Sequence, residues 1–343
     1  MQQPTELADR IKAATSAGQV LQIRGGGSKD FLGYAAGADS EVLDTRCWQG
    51  VIEYHPDELV LRARAGTSLE EILALLAEHR QMLPFEPPQY PGATLGGAVA
   101  TGLSGSRRPY AGAVRDHVLG VGLILHDGTY AEFGGQVMKN VAGYDVSRLV
   151  CGSFGMLGVI ADVSLKVLPA PAAEQSCSLE MDETAARDQV YQLTRKVSPL
   201  SASCYLQGRL HLRLSGSDEV VQDVLQQLGG QPLDAGFWRA LDCHELPYFT
   251  DADEIWRYST DAEEQLDVLA AGIQDWGFAQ RWFTGARPDQ PGAQGHWYCW
   301  KTNRDGVERF PPLPSAVMNL QQRLKKVFDP QGIFNPGRMY PAL

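Results

Sequence analysis

The chain has 343 residues, 44% of them hydrophobic, enough to bury a substantial core in two domains or in one elaborated domain. Its formal net charge of −11 excludes the broad basic face that nucleic acid or an anionic membrane calls for. The longest apolar stretch, Val118 to Leu125, is interrupted by Gly120 and Gly122 and is far too short to span a bilayer.

Thr5 to Gly18 reads as a helix, with Leu7, Ile11 and Ala14 on one face and Gly18 at its end. Val20 to Ile23 is a short strand running into the turn Arg24-Gly25-Gly26-Gly27-Ser28-Lys29. A second strand covers Leu59–Ala65. Ser68 and Glu71 form a capping-box start for a helix over Leu69–His79, and Thr94–Thr101 reads as a further helix. Val118–His126, the Asp127-Gly128 turn and Thr129–Phe133 make a hairpin. Val159, Ala161, Val163, Leu165 and Val167 alternate with polar residues, giving a strand with one buried face. Pro169–Ala173 is a linker.

Beyond the linker the pattern becomes that of a smaller α+β module. Strand-like Ser176–Met181, helix-like Thr184–Val197, the strand pair Ser203–Leu214 and helix-like Asp218–Leu228 come first. Strand-like Ile255–Ser259, helix-like Ala262–Trp276 and strand-like Ala279–Phe283 and Trp297–Lys301 look like a partial second round of the same pattern. Ser315–Phe328 is an amphipathic helix, and Asp329–Gly337 closes in tight turns.

The glycine turn is the strongest chemical signal. Residues without Cβ permit positive φ and bring backbone N–H groups onto one concave surface, a nest suited to a diphosphate, with the Ser28 hydroxyl as an added donor. No Gly is followed by Lys, so a P-loop is excluded, and Asp30 stands where the third Gly of a dinucleotide fingerprint belongs. Two further glycine-rich segments, Pro91–Gly102 and Gly143–Gly158, keep it company, and helix-like Thr94–Thr101 offers N-terminal N–H groups to phosphate.

These segments, in this order, resemble the vanillyl-alcohol oxidase (PCMH) type FAD-binding flavoprotein family, and within it the FAD-binding E-type subunits of bacterial glycolate oxidases. The resemblance runs through Arg24–Lys29, Met82-Leu83-Pro84 with Glu86-Pro87-Pro88, Arg107-Arg108-Pro109, Val114–Gly120, Val137–Asp145 and Phe334–Met339. It implies an α+β fold: an FAD-binding domain over 1–170, a smaller α+β cap over 174–314, and a segment over 315–343 that returns to the first domain. It also implies cofactor contacts from Arg24, Gly25, Gly26, Gly27, Ser28 and Lys29 in the first loop. The second loop would contribute Thr94, Gly96, Gly97, Thr101, Gly102, Leu103 and Ser104. The third would contribute Phe154, Gly155, Met156, Leu157, Gly158 and Val159, and the terminal turn Asn335.

Three departures from the family pattern shape the functional expectation. Some relatives attach the flavin through a His in the first loop; none lies between Gly25 and Gly33 here, so the FAD is expected to be non-covalent. Many relatives carry Glu where this chain has Phe154. The D-type subunit and bacterial D-lactate dehydrogenases carry a His-x-His and Gly-Asp-Gly-Asn-x-His set for a divalent metal, whereas the corresponding region here holds only Gly295-His296-Trp297. No metal site is therefore expected. His296 is a candidate base for the substrate hydroxyl, or else a half-buried ring among Trp297, Tyr298 and Trp300. Arg281 is a candidate bidentate anchor for a substrate carboxylate, or else a structural ion-pair partner.

The resemblance thus implies the FAD-carrying subunit of a heteromeric 2-hydroxy acid dehydrogenase that oxidises glycolate to glyoxylate. Its partners would be a second flavoprotein subunit of the D type and an iron–sulfur subunit. Cys47, Cys151, Cys177, Cys204, Cys243 and Cys299 include no C-x-x-C pair, which fits electrons leaving through another polypeptide. A self-sufficient FAD dehydrogenase and a flavin-binding scaffold without its own turnover are the alternatives. No charged-apolar-small leader opens the sequence, so the expected location is cytoplasmic, with at most peripheral membrane association through partners.

Overall fold

The computed structural model describes residues 4–135, 144–195, 198–262, 272–287 and 295–343. Most of the Val137–Asp145 motif, Lys139 and Asn140 included, lies outside them, as does the greater part of the Ala262–Trp276 segment. The chain divides into two compact units: Met1–Leu103, Ala113–Pro169 and Pro312–Leu343 make the first, Ser104–Gly112 and Ala170–Pro311 the second. No helix among the described residues is long and apolar enough to cross a membrane.

In the first unit the helix Thr5–Ala17 ends at Gly18, whose φ of 63° is the left-handed conformation that closes many helices. The strand Leu21–Arg24 pairs in parallel with Glu41–Asp44, and Phe334 bridges Leu21 from the other side. A five-stranded antiparallel sheet stands beside this, in the order Val51–His55, Val60–Arg64, Val159–Lys166, Val118–Ile124, Tyr130–Gly134. The helix Leu69–Glu78 begins where Ser68 Oγ accepts from Glu71 N, and the helix Leu95–Thr101 begins at Thr94 in the same way. Leu69, Ile72, Leu76, Leu95, Ala98 and Val99 pack onto Leu61, Ala63, Val121, Val163 and Leu165. A second cluster of Leu7, Ile11, Leu21, Leu43, Val159, Ala161 and Phe334 ties the small parallel pair to the sheet.

The helix Ser315–Phe328 departs from the usual amphipathic pattern. Its buried residue is Lys325, while Val317, Leu320 and Val327 are exposed. Lys325 is buried because Nζ donates to Asp329 Oδ2 at 2.7 Å, Met156 O at 2.8 Å and Phe334 O at 2.6 Å, so the ammonium finds its full set of acceptors inside.

The second unit is built on one eight-stranded sheet. Its first half runs in the spatial order Gln231–Pro232, Ala173–Glu180, Arg209–Gly216, Leu200–Leu206, which is the 4-1-3-2 order of a ferredoxin-like βαββαβ unit. The second half repeats that order from the opposite edge: Gly295–Lys301, Ile255–Thr260, Gln280–Thr284, Ile273–Asp275. The halves join where Cys204 and Tyr205 pair with Asp275 and Gln274. Ile273–Asp275 was expected to be the end of a helix; it is a strand, followed by a tight turn in which Gly277 takes φ 64°. The Ser104–Gly112 segment is fixed to this unit by Ser106 Oγ on Asp242 Oδ1 (2.7 Å), by Arg107 on Glu174, and by the Trp276 indole N–H on Gly105 O (3.1 Å).

Candidate functional site

A narrow groove in the first unit collects most of the glycines singled out above. One end is lined by Arg24, Gly25, Gly26, Gly27, Ser28, Lys29, Thr94, Thr101 and Arg338. The other is lined by Thr45, Ala65, Gly96, Gly155, Gly158 and Ile160, with Ile23, Gly25, Gly97, Ala100, Phe154 and Asn335 common to both.

The glycines are there for two distinct reasons. Gly27 has φ 70°, a conformation that strains other residues. At Gly26 the requirement is space: a Cβ would lie 1.6 Å from Gly92 O. At Gly25 it would lie 2.3 Å from Thr94 Oγ1. The first loop therefore lies backbone to backbone on the turn that precedes the Leu95–Thr101 helix. Among the described residues, the N–H groups of Gly26, Gly27 and Ser28 donate to no acceptor. Three consecutive uncommitted donors on one concave surface form an anion nest, and half-buried amides of this kind are normally hydrogen-bonded. Arg24 and Asp30 close the loop with an ion pair of 2.7 Å.

The helix contributes differently from what its position suggested. Leu95 N donates to Thr67 O, Gly96 N to Ala65 O, Gly97 N to Thr94 Oγ1 and Ala98 N to Thr94 O. Its first-turn donors are all spent within the protein, so the expectation that they are aimed at phosphate is corrected. Gly96 is needed because a Cβ would stand 2.7 Å from Ala65 Cβ. The opposite wall is held open by Asn335, whose Oδ1 accepts from Ile23 N at 2.8 Å and whose Nδ2 donates to Phe154 O at 2.6 Å. Its amide thus links the first loop, the third loop and the terminal turn, and a ligand in the groove meets its edge.

Several of the expected contact residues do not line the groove. Leu103, Met156, Leu157 and Val159 are buried in the core, Gly102 caps the helix with φ 66°, and Ser104 belongs to the second unit. Ile23, Thr45, Ala65, Ala100, Ile160 and Arg338 line the groove without having been singled out. Ala65 and Ala100 sat in plain strand and helix patterns; Arg338 directly follows the recognised Asn335-Pro336-Gly337 turn and was passed over. Its guanidinium donates to Asp30 O at 2.9 Å and to Tyr34 O, so it braces the first loop.

The two candidate catalytic residues do not converge. Arg281 pairs with Tyr258 across the second-unit sheet, whereas His296 pairs with Ser259, one residue further along the same strand. Successive residues of a strand point to opposite faces, so the two side chains are on opposite sides of the sheet. Arg281 is buried and its Nε donates to Phe278 O at 3.3 Å. His296 stands at an exposed strand end, and desolvation together with the charges of Arg257 and Arg108 holds its pKa below the usual value.

Comparison with known proteins agrees with this geometry. The family profile described as FAD binding domain matches residues 1–134. A solved structure of alkyldihydroxyacetonephosphate synthase superposes with a TM-score of 0.68 at 16% identity, covering 98% of this chain and 75% of that one. The fold is of vanillyl-alcohol oxidase (PCMH) type, and the cofactor is FAD. Glycolate oxidase subunit GlcE of Escherichia coli is 40% identical over 98% of this chain and 97% of its own length. Glycolate oxidase subunit GlcD of Bacillus subtilis is 27% identical over 48% of this chain and 37% of its own length. The chain belongs to the GlcE family of glycolate oxidase subunits.

Proposed function

We propose that this chain is the FAD-binding subunit of a heteromeric glycolate oxidase, acting in the oxidation of glycolate, a 2-hydroxy acid, to glyoxylate. The observation that carries the reading is a diphosphate nest of three uncommitted N–H groups in a chain alike to GlcE along nearly its whole length. FAD supplies a two-electron acceptor. Gly26, Gly27 and Ser28 hold its diphosphate through backbone donors, and Gly97 and Ala100 face Phe154 and Gly155 across the slot that takes the rest of the cofactor. Asn335 and Arg338 keep the first loop in place rather than reading the cofactor's chemistry. No His stands in the first loop, so the FAD is held non-covalently.

A D-type flavoprotein subunit performs most of the substrate chemistry, and an iron–sulfur subunit receives the electrons, in the cytoplasm. One feature of this chain supports that division: its two best catalytic candidates sit on opposite faces of a sheet. The test is dye-linked glycolate oxidation by the lone FAD-loaded chain and by the chain co-expressed with D-type and iron–sulfur subunits. Turnover restricted to the complex is expected. Comparable turnover by the lone chain would show that it needs no partner.

A further inference from the structure

One face of the second-unit sheet carries a cation that the proteins' usual pairing rules leave without a partner. The pairing registers place Asp275, Gln280, Ser259 and His296 in one lateral row and Trp282, Arg257 and Tyr298 in the next, all on the same face. Arg108, from the Ser104–Gly112 segment, lies close enough to act electrostatically on both Arg257 and His296. The Arg257 guanidinium lies 5.2 Å from the ring centre of Tyr298 and 5.4 Å from that of Trp300. His244 stacks on Trp300 at 4.6 Å and closes the inner end. The outer end opens where Ser259 is half-buried and His296 exposed.

Arg62, Arg107 and Arg213, three other shielded arginines of this chain, each face a carboxylate. Arg257 makes no ion pair or hydrogen bond with the described residues, and its Nε is fully shielded from solvent. Asp275 supplies no full counter-charge, because burial lifts its carboxyl to about 7 and its Oδ2 is already taken by Gln280 Nε2 at 3.0 Å. Arg257 is half-buried: desolvation bears most against its charge, Tyr298 and Asp275 favour the charge, and Arg108 opposes it. Keeping a guanidinium in such surroundings costs stability, and a well-packed apolar residue of similar length would remove that cost.

We propose that this face binds a small carboxylate, with Arg257 as its bidentate anchor and His296 at the mouth. The size and charge class follow from the reading given above, since a 2-hydroxy acid offers one carboxylate to a planar fork and a hydroxyl towards the exposed His296. This chain then holds its own substrate-class site, separate from whatever the partner flavoprotein binds.

The probe is oxalate, which has no C–H bond to oxidise, so binding is read apart from turnover. Titration of the FAD-loaded full chain, followed by calorimetry and by tryptophan fluorescence, should give saturable binding. Arg257→Met should weaken it by about 10- to 100-fold, the loss expected for a charge-assisted hydrogen-bonded pair. Arg257→Lys should fall between the two. Arg209→Met, which removes an equal charge from an exposed pair on the same unit, should leave binding unchanged. Absence of binding in the parent chain, or equal affinity in parent and Arg257→Met, overturns the site. Arg257→Lys with parent affinity overturns the bidentate anchor. Oxalate binding lost with Arg257 while the assembled complex fails to oxidise glycolate sinks the glycolate reading and keeps the site. Glycolate oxidation by the assembled complex together with no oxalate binding to the parent chain does the reverse.

Discussion

At the scale of single residues, the first loop separates two uses of glycine that sequence alone merges. Gly27 needs a backbone angle, whereas Gly26 needs the absence of an atom. Gly26→Ala drives Cβ into Gly92 O and pushes the loop off the turn that supports it. Overpacking of this kind costs about 1–3 kcal/mol, which corresponds to roughly 5- to 150-fold in FAD affinity if the strain is relieved only in the empty loop. Flavin retained per mole of protein after gel filtration measures it, with far-UV circular dichroism to show that the fold persists. Gly18→Ala is the matching control. It imposes a left-handed angle of 63° on alanine, at a cost of about 1 kcal/mol in stability. A Cβ there touches nothing, so the melting temperature should drop while flavin content stays at the parent level. Loss of flavin in Gly18→Ala and not in Gly26→Ala would move the diphosphate site away from the first loop.

At the scale of elements, the closing helix works as a clamp on the groove. Lys325 holds the carbonyls of Met156 and Phe334, one within the third loop and the other next to Asn335. Lys325→Met leaves Asp329, which is almost completely buried, without its ion-pair partner, a change that costs about 3–5 kcal/mol. Two carbonyls lose their donor at the same time. The expected outcome is a lower thermal midpoint together with faster FAD release, both read in one flavin-fluorescence melt, while exposed Lys326→Met changes neither. The elements themselves were largely legible: Ser68 and Thr94 cap their helices as the pattern required, and Asp127-Gly128 turns its hairpin. What escaped was anything set by pairing between distant segments. The Ile273–Asp275 strand follows an apolar run that reads as helix, and only its two neighbours, Leu200–Leu206 and Gln280–Thr284, make it a strand. The same limit hid the site. Arg281 and His296 were legible as reactive residue types, but their opposite faces depend on a register with Ile255–Thr260 that no local pattern encodes. Lys325 read as the polar side of an amphipathic helix, because a cage of carbonyls from two other segments leaves no trace beside it in sequence.

At the scale of the whole molecule, the two units have different electrostatic habits. The first pairs its buried charges, as Arg62 does with Asp162 at 2.7 Å. The second also buries groups by forcing them neutral. Burial, and then Arg209, lowers the pKa of His211 to about 4, and burial, and then Arg257, lowers that of His244 to about 3. Burial raises Asp275 to about 7. Below pH 6.5 the unfolded chain takes up protons on both histidines that the folded chain refuses, so each histidine removes about 1.4 kcal/mol of stability per pH unit on acidification. Asp275 acts in the opposite sense: its folded pKa lies above the unfolded one, so its contribution is complete below about 3.8 and is lost as the pH rises towards 7. Between pH 6.5 and 4 two losses oppose one gain, and the net is a fall of about 1.4 kcal/mol per unit as the pH drops. Asp275→Asn deletes the gain and should roughly double that slope, while raising stability above pH 7, where the parent must bury a charged carboxylate. Six of the chain's 7 tryptophans (Trp238, Trp256, Trp276, Trp282, Trp297 and Trp300) lie in the second unit, so urea unfolding followed by tryptophan emission reports on it selectively. A midpoint that does not change between pH 6.5 and 4.5, or an Asp275→Asn variant that is less stable than the parent at pH 8, would mean that these groups are ionised in the folded chain.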